Sequence, residues 1–198
     1  MSPNPRLVIQ PIVLSFLILV LAFSRIIPHI PNFSPLGAIC LFGAAHFYRK
    51  WQAFSVPIFS TWLSDLYLNN YIYNPQGSDF IWFYKGFHWQ YLGYFFIALF
   101  GLILFKRKIN PTRLVSGAIG SSIIFFLISN FGVWASGTFY DKSFLGLISC
   151  YAAGIPFIKG TLVGNLVYAP LIFYSYYFIE NKFSGLNTCS KQYNWRFN

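Results

Sequence analysis

Residues 7–27 read LVIQPIVLSFLILVLAFSRII, and this stretch decides the class of the fold. About 20 apolar residues, at roughly 1.5 Å of rise each, match the thickness of a bilayer. The run carries no charge before Arg25. It is too long for a signal-peptide core, and no small-x-small cleavage site follows it. Outward from it the pattern repeats, with apolar segments at about 36–48, 51–68, 87–105, 114–134 and 157–179. The segment at 36–48 is short and rich in small residues, which suits a short or tilted span or a re-entrant segment equally. The expected fold is an all-α integral membrane bundle of six helices. It forms one transmembrane domain over residues 1–180, with a polar cytoplasmic tail over 181–198.

Composition agrees. Of 198 residues, 56% are hydrophobic, 22% aromatic and only 9% charged, against about 25% charged in an average soluble domain. An ordinary cytoplasmic enzyme, a disordered chain and a collagen-like repeat are all excluded. The acids are Asp65, Asp79, Asp141 and Glu180, too few for a carboxylate metal site or an acid/base pair. No metal or other cofactor is expected. The net charge of +10 would point to nucleic acid in a soluble protein. Here its placement points to topology, and no nucleic-acid partner is expected.

With six spans, one set of alternate segments holds Arg6, Arg49, Lys50, Lys106, Arg107, Lys108, Arg113, Lys182, Lys191 and Arg196. The other set holds Arg25, Lys85, Lys142 and Lys159 beside Asp79 and Asp141. Basic residues stay on the cytoplasmic side, so both termini are expected there. Trp51, Trp82, Trp89 and Trp134 fall near span ends, as an interfacial belt requires. The even connections are short and basic. The odd ones, at about 28–35, 69–86 and 135–156, are long, aromatic and nearly neutral. They read as a cap over the external mouth of the bundle.

Several constellations carry the functional reading. In Arg25-Ile-Ile-Pro-His-Ile-Pro-Asn-Phe-Ser-Pro35, three prolines hold the backbone extended. The segment is either a stiff connector or a preorganised wall offering Asn32 and Ser34 to a ligand. Ser64 and Asp65 end the third span. A carboxylate there needs a partner, which Arg25, Lys85 or Lys159 could supply, or it contacts ligand. In the fifth span, Ser116/Gly120 and Gly117/Ser121 place small residues on one face for close helix packing. Asn130 ends that span beside Phe131 and Trp134, as a cap and anchor or as a ligand contact. Asn165 in the sixth span must find a hydrogen-bond partner, as interhelical glue or as pocket lining. Cys40, Cys150 and Cys189 have no metal spacing and read as free thiols. His29, His46 and His88 are scattered.

Enzyme chemistry finds no support. The histidines all precede Ser136-Gly137, which opposes a rhomboid-like order of nucleophile and base. Paired intramembrane acids are absent, and so is a phosphate-cradling loop. The chain is not expected to be an enzyme.

The motifs so far fall in a recognisable order. The 25–35 segment precedes a small-residue span, and Ser64-Asp65 ends the third span. Phe-Phe-Leu-Ile-Ser-Asn-Phe-Gly-Val-Trp (125–134) ends the fifth. Cys-Tyr-Ala-Ala-Gly-Ile-Pro-Phe (150–157) leads to Thr-Leu-Val-Gly-Asn-Leu-Val-Tyr (161–168). Together these resemble a bacterial family of small integral membrane proteins of unknown function, over roughly residues 10–180. Asn165 stands where that family is expected to carry Asp. More distantly, the chain is similar to the substrate-binding S subunits of energy-coupling factor (ECF) transporters. Those are six-helix proteins with both termini cytoplasmic, which bind vitamins or metal ions externally with their odd loops. The Ala-x-x-x-Ala docking motif of such subunits is absent, because the first span holds Ala22 alone.

The resemblance implies a multi-pass protein of the bacterial inner membrane that binds or takes up a small, vitamin-like organic micronutrient. It implies as partners the bilayer, the small molecule and an energising module of coupling subunit plus ATPases. The expected ligand contacts are Asn32, Asp65, Asn130 and Asn165 for hydrogen bonds. Phe33, Trp82, Phe131, Trp134 and Tyr151 are expected to supply apolar and stacking surface. The alternative is a non-transporting scaffold of envelope or cell-shape machinery, whose external end would be filled with side chains.

Overall fold

The computed structural model describes residues 5–27, 31–77, 79–106 and 109–182. The expected tail and His29 lie mostly or wholly outside these residues. Among the described residues the chain is helical with no strand. The helices are α1 (Pro5–Phe23), α2 (Leu36–His46), α3 (Lys50–Tyr67), α4 (Phe87–Leu104), α5 (Pro111–Ser136) and α6 (Phe144–Lys182). A 3-10 turn, Ser24–Ile26, follows α1, and a π-helical turn, Leu68–Ile72, follows α3.

Helix α2 is the centre of the bundle. Every residue of it is buried, and it packs against each of the other helices. Its sequence, LGAICLFGAAH, is apolar or small on all sides. An all-round apolar helix has no face to turn outward, and its small residues let neighbours approach closely. Eleven residues reach about 16 Å, roughly half of a ~30 Å hydrocarbon core. Around α2 the pairs α1/α3, α3/α4, α4/α5 and α5/α6 are in contact.

The outer helices are apolar outward and partly polar inward. Exposed stripes include Ile12, Phe16 and Val20 on α1, Leu99 and Ile103 on α4, and Val115, Ile119, Ile123 and Leu127 on α5. On α6 the stripe is Val163, Val167, Leu171, Tyr174 and Phe178. By contrast, Ser60, Thr61, Ser64 and Asp65 of α3 and Ser121 and Ser122 of α5 are buried. Water would select the opposite arrangement, whereas lipid selects this one. Three helices, Phe87–Leu104, Pro111–Ser136 and Phe144–Ile179, are long and apolar enough to cross a membrane. The chain is thus an all-helical, membrane-associated protein.

One boundary differs substantially from the expectation. The sixth span was expected over 157–179, after a loop at 135–156; a helix through Pro156 is disfavoured locally, because proline lacks the amide donor and crowds the carbonyl four residues back. The helix instead starts at Phe144 and runs through both Pro156 and Pro170. The early part is tied to α5. Tyr151 OH donates to the Leu127 carbonyl at 2.7 Å, and Cys150 Sγ to that of Asn130 at 3.3 Å. These contacts hold a segment that the sequence alone presents as a loop.

Glycines set a second feature of α6. A Cβ built at Gly160 would overlap the Pro31 carbonyl oxygen, and one at Gly164 would lie 3.1 Å from the Ser34 amide. Their four-residue spacing puts both on one face. The face lets the connector at 31–34 lie directly on the α6 backbone.

Candidate functional site

The C-terminal ends of α1, α3 and α5 and the N-terminal parts of α2, α4 and α6 meet at one end of the bundle. They line a half-open cavity of about 820 Å³. Small-molecule sites run from about 300 to 1,000 Å³. The connections joining these ends are the odd ones. Arg49, Lys50, Lys106 and Arg113 belong to the opposite end.

One wall is aromatic. Tyr94 and Phe125 both border the cavity and stack at 5.4 Å with an interplanar angle of 13°. Another wall carries amides. Asn130 Nδ2 donates to the Phe126 carbonyl at 2.8 Å, and Asn165 Nδ2 donates to Ser122 Oγ at 2.9 Å. In both residues the amide oxygen is left without a hydrogen-bond partner among the described residues. Asn165 is 1% exposed, and Gly37 makes room for it: a Cβ there would lie 2.5 Å from Asn165 Oδ1. An amide oxygen can only accept a hydrogen bond, so these two oxygens hold acceptor capacity in reserve at the cavity wall.

The third wall is the connector, and it brings Asn32 to the cavity in an uncommon conformation, with φ of 61°. Asn tolerates the left-handed region better than other side chains with a Cβ. Asn32→Gly is therefore expected to change stability by less than about 0.5 kcal/mol, and Asn32→Ala to cost about 1 kcal/mol. Thermal unfolding of the purified variants reads the difference, and equal midpoints would contradict the strain argument.

The fourth wall is ionic. Arg25 Nη1 donates to Asp65 Oδ1 at 2.6 Å and to Ser64 Oγ at 3.4 Å, and Tyr91 OH donates to Asp65 Oδ2 at 2.7 Å. Of the three basic residues that could partner Asp65, the structure selects Arg25. Both carboxylate oxygens are thus engaged. Burial, and next the Asp65 charge, push the nearby Tyr84 phenol upward, so it stays protonated beside the pair. Arg25, not Asp65, borders the cavity.

The expected site residues therefore divide. Asn32, Asn130 and Asn165 border one cavity. Asp65 stands behind Arg25. Phe33 packs on Tyr168 of α6 at 5.3 Å. Trp82 is exposed, edge-on to Phe80, with its carbonyl accepting from Trp62 Nε1 at 3.3 Å. Phe131 packs on Trp89 at 5.3 Å. Trp134 Nε1 donates to the Asp141 carbonyl at 2.9 Å, and Lys142 lies over the ring and donates to the Trp134 carbonyl. Tyr151 is tied to Leu127. None of these six borders the cavity.

Arg25, Gly37, Tyr94 and Phe125 were not among the expected ligand contacts. One signal points to part of this set: Arg25 stands ahead of a proline-rich connector. No group of three or more His, Cys, Asp and Glu side chains that could hold a metal occurs among the described residues.

Comparison with known proteins gives one result. No curated protein and no solved structure matches the chain. A family model matches residues 6–188, and the chain belongs to that family, described as a family of unknown function (DUF6580).

Proposed function

We propose that this chain binds a small organic solute in the 820 Å³ cavity and serves in its uptake across a bacterial inner membrane. The carrying observation is the cavity itself. It is an open, partly polar space at one end of a bundle whose outward faces are apolar. A scaffold has no use for such a space, and its end would be filled. Loops and helix ends around the cavity come from the odd connections, which is the plan that the resemblance to ECF S subunits implies.

Orientation follows from charge. Arg49, Lys50, Lys106 and Arg113 mark the end away from the cavity, and basic residues stay cytoplasmic. The cavity then opens outward, with both termini inside. The sequence holds no phosphate-cradling loop, so on this reading uptake draws on an energising partner or a tilting of the bundle. The test is mass spectrometry of small molecules extracted from the purified protein. A recurring organic molecule at about one per chain is expected, and its absence across preparations would contradict the reading.

A further inference from the structure

We propose that the ligand is a carboxylate, held by the free edge of Arg25, with a hydrogen-bond donor at its other end facing Asn130 and Asn165. This deepens the binding reading above and rests on it. Arg25 is the single charged side chain bordering the cavity among the described residues. Its hydrogen bonds to Asp65 and Ser64 both leave through Nη1. Its Nε and Nη2 make no hydrogen bond with the described residues.

Asp65 cannot turn to face the cavity without losing two bonds, because Arg25 holds one oxygen and Tyr91 the other. The carboxylate therefore orients the guanidinium from behind. The remaining edge of a planar guanidinium is a two-donor fork, and a carboxylate matches it with two parallel bonds. One cation already paired with Asp65 leaves little field for a dianion, so a monoanion fits better than a phosphate. The Asn130 and Asn165 oxygens, which also line the cavity, can only accept, and a donor on the ligand can satisfy them in place of water. Tyr94 and Phe125, stacked on each other, add aromatic surface to the lining. The body of the ligand is thus largely apolar.

The test uses the full chain in detergent and matched pairs of carboxylate and primary amide. Dansylglycine and dansylglycinamide serve as the fluorescent pair, each with an apolar ring system and an N–H. The carboxylate is expected to bind about tenfold tighter than the amide, the usual margin of a charge-assisted over a neutral hydrogen bond. In Arg25→Gln/Asp65→Asn, which removes both charges and leaves an amide at each position, the ratio is expected to fall to about one. Ala153→Trp, which fills the cavity from α6, gives the background due to detergent. If both probes bind above that background with equal affinity, the carboxylate inference is overturned and the binding site survives. A preference that persists in the double variant also overturns it. If neither binds above background in any pair, the site reading fails and this inference fails with it.

Discussion

Asp65→Ala is expected to destabilise the protein by about 3 kcal/mol, the lower part of the range for breaking a buried ion pair. The Arg25 and Asp65 side chains are 16% and 9% exposed, so water replaces little of what is lost. The substitution leaves a guanidinium without its counter-ion and the Tyr91 hydroxyl without its acceptor. For a chain of this size the loss corresponds to roughly 6–12 °C in midpoint, read by thermal unfolding in detergent. Asp65→Asn keeps an acceptor for Arg25 and is expected to cost less. Arg25→Met with Asp65→Leu removes the charges together and is expected to recover most of the stability, because a lone buried charge costs more than an absent pair. A double variant no more stable than Asp65→Ala would contradict this account of the pair.

Gly160→Val is expected to be nearly as damaging, at about 2 kcal/mol, within the usual range for overpacking. The group it meets is the Pro31 carbonyl oxygen, part of the backbone rather than a side chain that can rotate aside. Relief requires the connector to lift from α6. Pro31 and Asn32 border the cavity, so the same shift widens its wall and weakens any ligand held there. At Gly37 the obstacle is the Asn165 side chain, which can turn, so Gly37→Ala is expected to cost less than Gly160→Val. Midpoints in detergent give the order, and a Gly160 variant as stable as wild type would mean that the connector does not depend on its seat on α6.

Membrane class, helix number and the approximate place of the first five helices were legible because lipid imposes a length and a composition on each segment. Helix α6 was not, because a proline in a helix reads as a boundary unless tertiary contacts such as Tyr151 to Leu127 are known. At the site, the three asparagines were legible: a polar amide amid apolar spans has to go somewhere. The aromatic contacts were not, because an aromatic residue near a helix end serves an interfacial belt, a loop anchor or a pocket equally well. Trp82, Phe131 and Trp134 turned out to pack on neighbours in or beside their own connections. Asp65 shows a third limit. Sequence identifies a carboxylate that needs a partner, but only the fold shows that the partner, Arg25, is the group facing the cavity.

The central claim is that the cavity at the odd-connection end holds a small organic molecule. Native mass spectrometry of the protein released from detergent tests it most directly, comparing wild type with Ala153→Trp and Ile123→Trp. Ala153 borders the cavity, whereas Ile123 is exposed on the outer stripe of α5. A bound mass is expected in wild type, persisting in Ile123→Trp and lost in Ala153→Trp. A bound mass retained in Ala153→Trp, or none in wild type, would contradict it.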